Sequence, residues 1–460
     1  MTETSRWTLS IIVTTAALST VALAPQRREA PETGQRTMNE VAQRYVRLVL
    51  ALGQHDPDYV DAFYGPPEWK QEAAAAKLDL DTIGRRAAAL MRELPPAPRG
   101  TGVGGSGNRS ADDDLVVLRR QYLERQLSAL ASRVRMLQGA RVTFDEESRA
   151  LYDAVAPTYP DSHFQQILDQ LERRFPGNEA LVDRYDQWRR SFVIPRDRLD
   201  AVFKAAIAAC RERTLAHVQL PPGEQFTVEY VTNKSWSGYN WYQGNFRSVI
   251  QVNTDLPIYI DRAIDLACHE GYPGHHVYNA LLEKTLVKDR GWIEFTVYPL
   301  FSPQSLIAEG TANFGIEVAF PGKERAAFEQ SRLFPLAGLD GTKAAAYYDV
   351  QALVEQLSYA GNEAARRYLN REIDAAAATA WLERYALMPH ARAAQRVRFF
   401  DQYRCYVINY NLGKDIVKRF IESRGGTADN PARRWQEFER LLSSPRLPGG
   451  MMVEGRSGRH

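Results

Sequence analysis

The octapeptide His269-Glu270-Gly271-Tyr272-Pro273-Gly274-His275-His276 gathers three of the chain's eight histidines beside a glutamate. A hydrolytic zinc site needs two or three neutral nitrogen ligands, often a carboxylate, an open position for water and a base to take that water's proton. The familiar helical solution is H-E-x-x-H, with both histidines on one face and the glutamate pointing at the water. Here the fifth position is Pro273. On a straight helix His276 would return to the face of His269 but about 10 Å further along, and His275 would stand about 9 Å along and about 120° round, so neither could easily share an ion with His269. A regular helix cannot pass through Pro273, however, because its ring clashes with the carbonyl of His269. Gly274 then permits backbone angles that other residues avoid. The Pro-Gly pair predicts a break or bulge and a restarted helix that draws the next histidine back toward the first. The result is an H-E-x-x-H motif with two inserted residues if His275 is the second ligand, or three if it is His276.

Outward from this segment, most of the chain is patterned as helix. Val41, Tyr45, Leu48 and Leu52 recur at helical spacing and Gly53 closes the run. Leu115, Leu118, Tyr122, Leu130, Val134 and Leu137 do the same between an acidic start at Asp112 to Asp114 and Gly139. Leu199, Val202, Ala206 and Cys210 form another stripe, Lys343 to Tyr368 is rich in Ala, Gln, Glu and Leu, and Trp435, Phe438, Leu441 and Leu442 mark a late helix. No repeat stands out that would indicate a solenoid. One region reads as strand. Phe226, Val228 and Tyr230 alternate with polar residues, as do Phe246, Ser248, Ile250 and Val252, which predicts a small antiparallel pair around an aromatic stretch holding Trp236, Tyr239, Trp241 and Tyr242. Lying just before the histidine motif, the pair either binds extended substrate by main-chain pairing or is simply a hairpin packed on helices. The expected fold is mainly α, with a small antiparallel β element beside the active-site helix.

The chain has 460 residues, 44% of them apolar, enough for a substantial core. Charged residues make up 25% and the net charge is +2, so no basic field points to nucleic acid and no acidic tail to disorder. Leu9 to Ala24 carries no charge and ends in the small-x-small triplet Ala22-Leu23-Ala24. Residues 1–24 therefore predict a signal peptide or an N-terminal anchor, hence an exported protein, although roughly 16 apolar residues is short for a membrane span. A polar tether follows at 25–37, then a single domain over 38–460, interrupted at about 95–111 by a Gly/Pro/Ser-rich loop. Cys210, Cys268 and Cys405 are scattered and give no disulfide framework, so each reads as a small buried apolar residue. His55, His163, His217 and His390 lack metal-ligand spacing. No phosphate loop, nucleophile elbow or dinucleotide fingerprint stands out.

HEGYPGHH, with VNTDLP before it and AEGTANFGIE after it, resembles the bacterial family called domain of unknown function 885, whose pattern is HExxPGHH, an EGWA-like segment and a late YxxG segment. The likeness runs from about Met38 to about Leu447. It implies a large helical metallopeptidase-like fold holding one zinc ion in a thermolysin-type scheme. His269 would be the first ligand, His275 the second, Glu309 the third, and Glu270 the general base. His276 would be a neighbour that orients the site or binds substrate. Two positions depart from the family pattern: its tryptophan is Thr311 here, and its second glutamate appears as Glu317, eight rather than seven residues after Glu309. Glu317 is therefore expected to support the site rather than ligate. Arg404 to Lys414 resembles the late family segment, and Tyr410 matches its tyrosine, the first choice to steady the carbonyl oxygen during hydrolysis. Tyr406 stands one turn earlier, and Arg404 is a candidate for a substrate carboxylate.

The expected activity is hydrolysis of a peptide or related amide bond by water that Glu270 activates. The rivals are a metal-dependent amidase or esterase on a non-peptide substrate and a non-catalytic zinc-binding protein. A purely structural zinc site has no need of Glu270.

Overall fold

Residues 30–96 and 111–457 are described by the computed structural model of this protein. The expected export segment at 1–24 and most of the loop at 95–111 lie outside the described residues. The first helix, Ala30–Leu52, begins inside the stretch expected to be a tether. Its Glu, Gln and Arg residues are good helix formers, and Pro31 falls in the first turn, where a missing N–H costs nothing.

The fold is mainly α-helical with two small sheets. The apolar stripes legible in the sequence face inward: Val41, Tyr45, Leu48, Leu52, Val202, Ala206 and Cys210 are buried in one continuous core that runs from Met38 to Met451. Side-chain caps start several helices. Asp79 accepts from the Thr82 amide, and Thr143 and Glu146 form a reciprocal capping box. Among the described residues no helix is long and apolar enough to cross a membrane.

Two strands, β1 (Val60–Phe63) and β5 (Val297–Pro299), pair antiparallel. The other sheet holds β2 (Gln225–Val231), β3 (Gly238–Gly244) and β4 (Arg247–Asn253) in the order β2-β4-β3. This corrects the expected antiparallel pair. The Phe226 and Phe246 strands are neighbours but run parallel, with Phe226 opposite Ser248 and Val228 opposite Ile250. The antiparallel partner of β4 is the aromatic stretch itself, with Tyr239 opposite Gln251 and Trp241 opposite Val249. The reason is the turn. Asn245 and Phe246 both take positive φ, 52° and 61°, making the two-residue reversal that favours a hairpin between β3 and β4. Residues 232–237 then need only step over the end of β4, about 10 Å for two strand spacings. Asn253 at that end holds the crossing by donating from Nδ2 to the carbonyls of Lys234 and Trp236. Buried Glu283, just past the histidine helix, accepts from the amides of Asn245 and Phe246 and from the Tyr242 hydroxyl, which fixes the sheet to the motif.

The helix Ala111–Leu137 is anchored by a buried ion pair, Arg119 Nε to Glu294 Oε1 at 2.6 Å, with side-chain exposures of 2% and 0%. Arg119 also donates to Asn39 and stacks on Trp292. Arg119→Met is expected to lower unfolding stability by about 3–5 kcal/mol, because it strands a buried carboxylate. Adding Glu294→Leu should recover most of that loss. Denaturant midpoints of the single and double variants check it, and a single variant as stable as the parent would contradict it.

Candidate metal centre

The motif lies where a helix loses its regularity. Asp261–Leu266 is α-helical, and Ala267–Gly271 then widens into a π turn. The Tyr272 amide donates to Ala267 O, and the Gly274 amide reaches back six residues to Cys268 O at 2.9 Å. The helix resumes at His275 and runs to Leu282. Such π turns recur at functional sites because they re-aim side chains. Here the wide turn brings His269 Nε2 and His275 Nε2 to 3.1 Å. Cys268, beside the first histidine, is buried with its sulfur against that of Cys210.

The carboxylate comes from another helix, Pro303–Ala319. Glu309 Oε2 lies 3.2 Å from His269 Nε2, and Oε1 lies 3.8 Å from His275 Nε2. A glycine contact sets this approach: a Cβ on Gly310 would fall 2.5 Å from the carbonyl carbon and oxygen of Gly413 on the helix Ile408–Ser423. The two backbones thus touch, and Tyr406, in the turn before that second helix, donates from its hydroxyl to Glu309 Oε1 at 2.8 Å.

The donor set fits a tetrahedral divalent ion. Ligand bonds of about 2.0–2.1 Å place neighbouring donors about 3.3 Å apart, close to the separations between the two imidazoles and between His269 and Glu309. Although it lies within contact distance of His269, Glu309 Oε2 is buried with no hydrogen bond. A buried carboxylate oxygen left without a donor beside an imidazole nitrogen is suited to accept a cation held by both. The tautomer agrees. Asn313 Nδ2 donates to the carbonyls of Glu309 and Tyr410, so its Oδ1, 3.2 Å from His269 Nδ1, accepts from that nitrogen and leaves Nε2 as the nitrogen turned toward the donor set. Glu270 is also near, since it, His269 and His275 each offer a ligand atom within 4.8 Å of one another. The shorter distances belong to Glu309, and we assign it rather than Glu270 to the donor set.

Glu270 itself is buried, and its carboxylate makes no hydrogen bond or ion pair among the described residues. Its backbone carbonyl accepts from Asn240 Nδ2 on β3, and a Cβ on Gly238 would lie 2.9 Å from Glu270 Oε1, so the bare backbone of β3 presses against the carboxylate. Burial is the main cause that pushes its pKa up to about 7. His275 is lowered to about 4, chiefly by burial. For His269 burial opposes the charge, but the carboxylates of Glu270 and Glu309 win and raise it to about 9.

No family model matches the chain, and no curated protein does. Two solved structures are similar to it in part. A candidate lipoprotein of Colwellia psychrerythraea aligns at TM-score 0.49 and 16% identity, over 85% of this chain and 72% of that one. A candidate lipoprotein of unknown function from Shewanella oneidensis aligns at TM-score 0.45 and 14% identity, over 84% and 78%.

The other residues singled out in the sequence fall in four settings. Tyr406 and Tyr410 line the same cavity of about 1490 Å³ as His269, Glu270, His275 and Glu309. The Tyr410 hydroxyl makes no hydrogen bond among the described residues. His276 faces away from the cavity: it is 1% exposed, with Nδ1 2.9 Å from Ser248 Oγ and Nε2 3.0 Å from Glu224 Oε2. Glu317, two turns beyond Glu309, is paired with Lys414 and Lys418 and does not join the histidines. Arg404 is not on the cavity wall but is bound to buried Glu147 at 2.7 Å. Its role as a carboxylate receptor is thus taken up by a buried ion pair.

Sequence reasoning missed Asn313, Asp61 and Asn240. Asn313 was within reach, since it stands one turn after Glu309 on the same helix face. Asp61, on β1, holds the Tyr239 hydroxyl and lines the cavity; burial, with help from the Glu309 and Glu270 charges, pushes its pKa up to about 8. No local pattern marks it.

Proposed function

We propose that this protein is a metal-dependent hydrolase of peptide or related amide bonds, with one zinc ion held by His269, His275 and Glu309. The observation that carries this is the approach of three side chains of zinc-ligand type to within 3.8 Å of one another, beside a second carboxylate, Glu270, left without a partner among the described residues. Bound there, zinc would supply Lewis-acid polarisation at neutral pH. The chain's own groups do the rest. Glu270 takes the proton of the attacking water and returns it to the departing amine. Tyr410, its hydroxyl free and its ring next to Tyr406, donates to the carbonyl oxygen as charge builds there. Tyr406 and Asn313 hold Glu309 and His269 in place. β3, an edge strand whose backbone touches Glu270, supports an extended substrate by main-chain pairing. The uncharged segment Leu9–Ala24 supports an exported location for this activity.

The purified protein should carry one zinc per chain. Dialysis against a chelator should abolish cleavage of a peptide library, and stoichiometric zinc should restore it. Turnover that survives complete metal removal would sink the proposal, and cleavage confined to esters or non-peptide amides would shift the substrate class.

A further inference from the structure

The cavity wall carries a positive pair that the hydrolytic groups do not use. The helix His390–Tyr403 presents Arg392 and Arg396 four residues apart on one face, and both line the cavity that holds the metal donors. Neither makes a hydrogen bond or ion pair among the described residues, and Arg396 Nε is buried without a partner. Apart from Lys323, which is exposed to solvent, the other lysines and arginines of this cavity are paired. Arg189 pairs with Asp261, Arg262 with Asp265, Arg325 with Asp265 and Glu329, and Lys414 with Glu317 and Glu355. A half-buried guanidinium without an anion is costly, so a structure that keeps two side by side invites one.

Their placement limits what that anion is. Arg396 lies against the rings of Phe399, at 4.6 Å, and Tyr410, at 5.6 Å, and it feels the Glu309 charge, so it stands on the metal side. Arg392 lies one turn away, about 6 Å along the helix axis, nearer Arg262 and Arg189. Burial and those neighbouring cations pull its pKa down to about 10, as expected of a cation with no counter-charge of its own. Arginine offers a planar fork that takes a carboxylate with two parallel hydrogen bonds. A carboxylate on Arg396 would thus lie beside Tyr410, on the side of the cavity that holds Glu309.

Building on the hydrolase proposal, we infer that Arg396, supported by Arg392, is the receptor for the free C-terminal carboxylate of a peptide, so that the enzyme removes C-terminal residues. Interior cleavage would leave both guanidiniums facing neutral backbone. The anion has two sources in a peptide, the terminal carboxylate or an acidic side chain, and the inference commits to the first.

The test separates binding from turnover. Zinc-loaded protein carrying Glu270→Gln is titrated by calorimetry with three peptides of one sequence: free acid, C-terminal amide, and amide with glutamate as last residue. The free acid is expected to bind about 10- to 100-fold more tightly than either amide, the range for losing a charge-assisted contact. Adding Arg396→Gln should erase that difference while leaving the amide affinity as it was; Arg396→Lys should restore part of it. Equal binding of acid and amide overturns the inference, as does equal binding of the glutamyl amide. So does a loss in Arg396→Gln that strikes acid and amide alike, which would mark a structural role. Failure of the parent protein to cleave any peptide would count against the hydrolase proposal alone, because the binding series reads the receptor without turnover.

Discussion

Glu270→Gln is expected to keep one zinc per chain and to lose at least about 10²–10⁴-fold in kcat, the span over which a positioned base acts. The glutamine fills the same space against Gly238 and leaves Asn240 free to donate to the backbone carbonyl of residue 270. What it cannot do is take a proton from water. The carboxylates closest in kind are taken: Glu309 is engaged by His269, His275 and Tyr406, and Asp61 by Tyr239. The effect should fall on kcat and hardly on KM, since the interaction is made as the water attacks. Metal analysis beside steady-state kinetics checks it. Retained zinc with unchanged rates would remove Glu270 from the chemistry. Loss of zinc with the carboxylate would instead make it a ligand, as its distance to both histidines permits.

Gly274→Ala should be the most damaging small substitution in the chain. A Cβ at that position would lie 1.9 Å from the His269 carbonyl oxygen and 2.4 Å from that of Cys268. Neither neighbour can yield, because both are backbone atoms of the π turn that aims His269, and the Gly274 amide is bonded to Cys268 O. The chain must open between the histidines, so zinc affinity should fall by about 100-fold or more, at the upper end of what support residues of a metal site control. Stability should fall by about 1–3 kcal/mol or more, as for an overpacked core. Gly361→Ala is the matched control: it is helical with nothing within 4 Å of the added methyl, so stability should hold or rise. Competition with a chromogenic chelator and thermal melts of the two variants read both effects. A Gly274→Ala protein with parental zinc affinity would show that the turn does not set the site.

The helical character of the chain was legible because burial has a period. Val41, Tyr45, Leu48 and Leu52, or Leu199, Val202, Ala206 and Cys210, announce an inward face without any knowledge of what they face. The break at Pro273-Gly274 was equally legible, since a proline ring and the carbonyl four residues back exclude each other in any helix. The sheet was read only in part. Alternation at Phe226 and Phe246 marked two strands, but pairing is settled by which edge is filled. That depended on the positive φ of Asn245 and Phe246 and on Glu283 gripping the turn from a distant helix.

Local sequence thus determined the helices, the interrupted motif and the residue types needed to hold zinc and move a proton, because these follow from backbone sterics and from the chemistry of single side chains. Tertiary structure decided which of those side chains meet. His275 turns toward His269 while His276 turns to Ser248 and Glu224, and Glu309 arrives because Gly310 and Gly413 let two helices touch. Arg404 is spent on Glu147, whereas Arg396, one of 58 lysines and arginines and unremarkable in sequence, is left facing the cavity without a partner. The physical reason is the same throughout. A partner's charge and the close approach of two backbones act through space, and nothing in the spacing of residues along the chain records them.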